Sequence, residues 1–595
     1  MLATILSTLI LSIAKGAAGT PLWLCLKIFV THLFREGGPR NLGVAVNLLQ
    51  YLGATAAGPG SIPIRVSRPP DHSRSNPLQR VFRICLQPTL GGTLPGMWYA
   101  GRADNDVPQP SYTHLGGLRD VESFRRYLLE RQINIPCDNQ LISGSTSPLA
   151  QPIDIAGTKV GNRIAAQPME GWDGTAEGRP TELTFRRWQR FGASGAKLIW
   201  GCEAVAVRHD GRANPNQLLI NKYSRDDLSR LRETLVTAHK QATGSDSDLL
   251  IGLQLTHSGR YSRPNMHNRP EPKIVYHHPI LDPRLSITPE YPVLTDQELK
   301  EIIADFHNAA IVAAQAGFDF VDIKHCHGYL GHELLSAYTR EGDFGGSFEN
   351  RTRFLRDITH AVRAANPALS VAVRFSAYDM IPFRKPAFET YGTPEPIDGL
   401  LPYRWAFGVN VDRPLELDLR EPIQFLSLLR DLGIKLINVS AGSPYYNAHI
   451  QRPAFYPPSD GYAPPEDPLE GVARQMRVTR ELKQQFPELI FVGSAYSYLQ
   501  DFLPYVAQAA IPEGWTDFVG LGRMLLAYPS ILLDVIQGRT LQRKLVCRTF
   551  SDCTTAPRAG LPSGCYPLDP HYKNSANAAQ LKQLKTTKRT NRKDR

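Results

Sequence analysis

Residues 248–257 read DLLIGLQLTH. The stretch 249–255 is apolar apart from Gly252 and Gln254, too continuous for a strand with one wet face. It reads as a strand buried on both sides, the habit of parallel sheets with helical crossovers. Seven similar runs occur from about residue 150 onward: NRIAAQPM (162–169), AKLIWGCEA (196–204), FDFVDIKHC (318–326), LSVAVRFSA (369–377), KLINVSA (435–441), ELIFVGSA (488–495) and DFVGLGR (517–523). Amphipathic stretches such as ELTFRRWQRFGAS (182–194), DQELKEIIADFHNAAIVAAQA (296–316) and RFLRDITHAVRAA (353–365) lie between them. Eight strand–helix repeats within 151–545 predict an α/β fold, a closed (β/α)8 TIM barrel with enlarged loops. A doubly wound open sheet is the competitor. The count of eight, and the lack of a G-x-G-x-x-G turn after the first run, weigh against it.

In such a barrel, chemistry sits where strands give way to the following loops. Polar residues stand at those places: Glu170 after the first run, Gln254 at the end of the third, Lys324 and His327 at the end of the fourth. Arg374 ends the fifth, and Gly522–Arg523 the eighth. Separate caps and salt bridges explain any one of these better than all of them around one mouth. Gly493–Ser494 and Gly522–Arg523 suit a phosphate, because glycine lets backbone N–H groups approach and arginine adds a charge-assisted bond. A fixed cation, Arg374, with an amide that both donates and accepts, Gln254, suits a flavin pyrimidine ring.

On NRIAAQPMEG, CEAVAV with DGRANP, LQLTHSGR, HGYL with ELLS, REGDFGGSFENRTRF, VAVRFSAYD and DFVGLGRMLLAYP, in that order over about 150–570, the chain resembles the Old Yellow Enzyme-like NADH:flavin oxidoreductases. The resemblance implies FMN contacts from Pro168, Met169, Ala204, Gln254, Arg374, Gly493, Ser494, Gly522 and Arg523. It implies flavin reduction by NADH or NADPH, then hydride delivery to an α,β-unsaturated carbonyl or similar small acceptor. The segment GGSFENR is expected to brace the barrel without touching substrate.

In that family two polar residues three apart at the end of the fourth strand hold the acceptor, and a tyrosine two further on can give a proton. Here the positions are Lys324, His327 and Tyr329. Lysine departs from the family's histidine. Its ammonium can polarise a carbonyl oxygen as negative charge develops, either on a more anionic acceptor or with His325 sharing the task. Glu170 departs too, where Thr or Cys is usual. It is expected to pair with Lys324 or, alternatively, to bind a cationic amine, which would turn the chemistry toward amine oxidation. A non-catalytic FMN-binding scaffold is the rival from another class. A metal site at His325, Cys326, His327 and His332 is not expected, because neighbours on a strand point to alternate faces.

Cys547, Cys553 and Cys565 form C-x5-C-x11-C. The last spacing resembles the iron–sulfur segment of the 2,4-dienoyl-CoA reductase and trimethylamine dehydrogenase branch. Val546 and Thr549 stand where two of its cysteines would fall, so no cluster is expected, and electrons would reach FMN directly from a nicotinamide nucleotide or a partner.

The formal charge of +11 sits in the ends. Residues 1–83 carry +7 and 582–595 carry +6, leaving −2 on 84–581. A balanced body argues against nucleic acid as partner. The expected parts are an apolar and basic extension with linker (1–83), a partly helical lead-in (84–150), the barrel (151–545), a cysteine-containing segment (546–570) and a basic disordered tail (571–595). Two apolar runs within 2–34 are each shorter than the ~20 residues of a bilayer crossing, yet make membrane contact there an option. Eight cysteines with no C-x2-C pair suggest a reducing, cytoplasmic setting. A homo-oligomer is left open. The Pro- and aromatic-rich segments 391–416 and 453–468 are expected to roof the pocket.

Overall fold

The chain divides into Met1–Gly92 and Thr93–Arg595. The computed structural model describes residues 112–387 and 390–593, all within the second unit. The expected extension 1–83, the membrane option at 2–34 and the start of the lead-in therefore lie outside the described residues. Among the described residues, no helix is long and apolar enough to cross a membrane.

Each of the eight runs contains a strand, and the strands pair in parallel around a closed circle. In chain order they are Ile164–Ala166, Leu198–Ile199 continued by Ala204–Ala206, Leu250–Thr256, Phe320–Ile323, Ser370–Ser376, Leu436–Ser440, Ile490–Gly493 and Phe518–Leu521. The eighth closes on the first through Val519 opposite Ile164. The second run is interrupted because Gly201 and Cys202 take positive φ (128° and 46°). Both of its pieces still pair with the third strand.

Ala165, Leu198, Trp200, Leu250, Phe320 and Phe518 fill the barrel interior as one buried cluster. An antiparallel hairpin, Ile153–Ile155 with Thr158–Val160, adds Ile155 and Val160 to the same cluster and plugs it. The crossover helices follow the expected boundaries: Glu182–Gly192, Asp296–Gln315 and Arg353–Ala365. The second of these starts at a capping box, in which Thr295 Oγ1 accepts from the Glu298 amide and Glu298 Oε2 accepts from the Thr295 amide. GGSFENR does brace the outside: Arg351 Nη2 donates to Glu421 Oε1 at 2.6 Å, and its Nε to the Gly346 carbonyl.

The lead-in forms the helix Val121–Glu130, capped by Asp120. Its Phe124 stacks on Phe502 at 4.4 Å, and Tyr127 Oη donates to Asp467 Oδ2. It therefore packs where the helices after the sixth and seventh strands begin.

Two expectations need correction. Segment 391–416 does not line the central cleft. Tyr403, Phe407 and Val409 turn inward and join the main core, which is what its aromatic content provides for. The basic tail is not disordered up to Lys593, because Ala576–Lys593 is helical. Ala578, Leu581 and Leu584 recur at i, i+3 spacing and pack on Ala556, Tyr566 and Tyr572, and Lys585 Nζ donates to Asp552 Oδ1 at 2.6 Å. Charge density hid a narrow apolar stripe.

Candidate active site

A cleft of about 510 Å³ opens at the C-terminal mouth of the barrel. Twelve of the thirteen residues singled out from sequence line it. The exception is Gly493. A Cβ built there would lie 3.1 Å from the Tyr496 ring and 3.3 Å from Thr516 Oγ1, so its α-carbon faces the wall, and its carbonyl accepts from Gln167 Nε2.

One end of the cleft rests on Asp322. This buried carboxylate accepts from Gln254 Nε2 (2.6 Å), Trp200 Nε1 (2.7 Å) and the Arg374 amide (2.7 Å). Burial pushes it up to about 6, against the pull of those donors. One N–H of Gln254 is spent on Asp322, which leaves its second N–H and its oxygen for a ligand. Arg374 is buried, and its Nε has no partner. Burial lowers its pKa, while Cys326 and Asp322 oppose the shift. A buried guanidinium nitrogen without a partner is costly unless a ligand satisfies it. Beside Gln254 it fits the pyrimidine edge of a flavin.

At the other end, Arg523 Nη2 donates to the Pro453 carbonyl at 2.9 Å, whereas its Nη1 is buried and unpartnered. Arg452 leaves Nε and Nη2 in the same condition. Burial, then the nearby Arg558 and Arg523 charges, bring Arg452 down to about 9. Three unsatisfied guanidinium nitrogens beside Ser494 and Gly522 suit a phosphate. A Cβ at 522 would stand 3.0 Å from Met169 Sδ, so a larger residue there would push that side chain. Pro168, Met169 and Ala204 give the cleft its apolar floor.

Between the two ends sits a connected polar group. Tyr329 Oη donates to Glu170 Oε2 at 2.5 Å and lies 2.8 Å from Tyr445 Oη. Lys324 Nζ is 3.9 Å from the same Glu170 oxygen and 3.8 Å from the centre of the Tyr329 ring. Burial raises the Tyr329 pKa far above the usual phenol value, and the Glu170 charge adds to it. Burial lowers that of Lys324, and Glu170 holds it up. The expected Lys324–Glu170 pairing is thus loose, with Tyr329 as the tighter partner.

His327 and Gly328 both take left-handed backbone (φ 68° and 78°), which turns the chain sharply before Tyr329. The His327 ring is neutral, because burial and then Arg374 and Lys324 hold its pKa well below the usual value. Its Nε2 meets Ser440 Oγ at 2.9 Å and Gln451 Nε2 at 3.2 Å. His325 does not share the work of Lys324. One residue out of phase, it lies outside the barrel near Phe354 and Phe425, with Nδ1 on the Ile323 carbonyl.

The loop carrying Glu170 is locked from behind. Arg187 Nη2 donates to Asp173 Oδ1 at 2.9 Å and to Glu203 Oε2 at 2.5 Å, and Glu203 Oε1 accepts from the Gly171 amide at 2.7 Å. Tyr445, Gln451, Arg452, Thr554 and Arg558 also line the cleft and were not foreseen. Three of them follow the sixth strand, a strand end that offered its own signal. Thr554 and Arg558 arrive from the cysteine segment, where Cys553 also reaches the cleft.

Residues 148–398 match the family model described as the NADH:flavin oxidoreductase / NADH oxidase family. Over this segment the chain is similar to that family. An NADPH dehydrogenase of Geobacillus sp. (strain WCH70) is 33% identical over 246 residues, covering 39% of this chain and 64% of that protein. One from Listeria monocytogenes serovar 1/2a (strain ATCC BAA-679 / EGD-e) is 34% identical over 231 residues, covering 37% and 60%. The chain thus spans less than two thirds of the length of these curated relatives. Among solved structures, a 2-naphthoyl-CoA reductase in complex with 2-naphthoyl-CoA superposes with a TM-score of 0.52 at 17% identity, covering 72% of this chain and 57% of that one. A histamine dehydrogenase from Rhizobium sp. 4-9 gives 0.50 at 18%, covering 71% and 52%. At these identities the likeness establishes the shared fold alone.

Proposed function

We propose that this chain is an FMN-dependent oxidoreductase that takes its electrons from NADH or NADPH and reduces an α,β-unsaturated carbonyl or similar small acceptor. One observation carries the reading: unsatisfied buried nitrogens of Arg374 and Arg523 line the same cleft as the Lys324–Glu170–Tyr329 group. FMN, when bound, supplies the acceptance of hydride from the nucleotide and its transfer to the acceptor.

The residues do the rest. Gln254 and Arg374 hold the heterocycle edge, and Arg523 and Arg452 the phosphate. Lys324 donates to the acceptor's carbonyl oxygen, where negative charge grows, and its burial strengthens that bond. Tyr329 keeps its proton at neutral pH because of burial and Glu170, so the phenol is in the form that can protonate carbon. Tyr445, 2.8 Å away, is placed to return a proton to it. Glu170 orients the phenol and balances Lys324. Its Oε2 is engaged by Tyr329.

The test is anaerobic mixing of the purified protein with NADPH or NADH. Loss of the yellow flavin band, then its recovery on adding an enone, supports the reading. Bleaching by amines without nucleotide would support amine oxidation, and a yellow protein that never bleaches would support a scaffold.

A further inference from the structure

The loop after the third strand brings to the cleft a cation that neither the flavin nor the acceptor's carbonyl uses. Arg263 lines the cleft and is half-buried. Its Nε is buried with no partner, and its Nη1 makes only a long contact, 3.4 Å, with the His267 carbonyl. Among the described residues it has no ion pair with a carboxylate. The other cations of the lining have work. Lys324 faces Glu170, and Arg558 is held at 3.0 Å both by Asp460 and by the Pro444 carbonyl. Arg374, Arg452 and Arg523 are assigned to the flavin.

The backbone of this loop is fixed at the reacting end of the cleft. The Arg263 amide donates to the Arg212 carbonyl and the Ser258 amide to the Gly211 carbonyl, both at 2.7 Å, so the loop is seamed to the one after the second strand. Ala213, next along that second loop, packs in one apolar cluster with Tyr261, Tyr329 and Tyr445. Tyr261, two residues before Arg263, stacks on Tyr445 with ring centres 3.9 Å apart. Burial, then the Glu170 charge, raise the pKa of the Tyr445 phenol, while Tyr329, Arg263 and Arg558 oppose the rise. Arg263 therefore stands at the Tyr329–Tyr445 end of the cleft.

A buried N–H without a partner is costly unless a ligand takes it, and a guanidinium fork matches a carboxylate. We infer, resting on the redox reading of the cleft, that the acceptor carries a carboxylate beyond its unsaturated carbonyl, and that Arg263 binds it while Lys324 takes the carbonyl oxygen.

The test uses the full-length, flavin-loaded protein and two acid–ester pairs of different reach: monomethyl against dimethyl fumarate, and 4-carboxycinnamaldehyde against its methyl ester. At least one acid should exceed its ester in kcat/KM by about tenfold, the scale of one hydrogen bond between charged groups. Arg263→Gln should abolish that preference, and Arg263→Lys, which keeps the charge, should retain most of it. Binding is read separately with 4-carboxybenzaldehyde, which has the carbonyl and the carboxylate but no alkene to reduce. Its Kd, followed by the shift of the flavin band, should rise about tenfold in Arg263→Gln and little in Arg263→Lys. Three results overturn the inference: no acid preferred over its ester, a preference that survives in Arg263→Gln, or a variant whose KM rises for NADPH and not for the acid. A yellow protein that bleaches with NADPH yet gives one of these loses the carboxylate alone, whereas a protein that takes up no flavin loses the redox reading and this inference with it.

Discussion

Tyr329 Oη donates to Glu170 Oε2 at 2.5 Å, joining the loop after the first barrel strand to the loop after the fourth. Lys324, from the fourth strand's own end, stands 3.9 Å from the same carboxylate oxygen. A cation, a phenol and a carboxylate thus share one small volume, and the Glu170 charge acts to raise the pKa of both Lys324 and Tyr329.

Replacing Tyr329 by Phe removes the proton donor while leaving the ring over which Lys324 lies. The acceptor half-reaction should slow by roughly 10²–10⁴-fold, the scale of a positioned general acid. Reduction by the nucleotide should be little changed. Stopped-flow absorbance of the flavin separates the two halves.

Glu170→Gln removes the charge that holds the Lys324 pKa up. Lys324 then loses its proton at lower pH, so activity that needs the ammonium should fall away earlier as pH rises. The measurement is the pH profile of kcat/KM for the acceptor. An alkaline limb that stays in place, or moves to higher pH, contradicts the assignment.

Arg374→Ala deletes the buried cation beside Gln254. Affinity for FMN should drop on the order of 10–100-fold, as expected for hydrogen bonds to a charged group. Titration of the flavin-free protein with FMN, followed by flavin fluorescence, reads this directly.

Arg187→Met leaves Asp173 and Glu203 buried without their cation. Loss of one partner from a buried ionic group typically costs about 3–5 kcal/mol. The urea midpoint should fall accordingly, and the loop at Gly171 should become open to proteolysis.

Phe124→Ala should cost about 3–5 kcal/mol, the usual range for a buried aromatic cut to Ala. Phe124 is fully buried against Phe502. A loss near zero would show that the lead-in helix is not part of the barrel's cooperative unit.

The sequence by itself determined the barrel and which residues ring its mouth. Both follow from local pattern: runs such as 249–255 are apolar on successive residues only when both faces are buried, and polar residues at their C-terminal ends share one rim. Thus Gln254, Lys324 and Arg374 could be placed from their neighbours along the chain. Tertiary structure alone decided what each side chain meets. Tyr329 and Glu170 are 159 positions apart, and nothing local says that their oxygens touch. Arg452 and Thr554 meet through two separate loops, and His325 is excluded from the cleft by one step of strand parity. Nor could local pattern show that Tyr403 and Phe407 would be buried as core. Periodicity along the chain records which face of an element is dry, but the partner on that face is chosen by packing between elements distant in sequence.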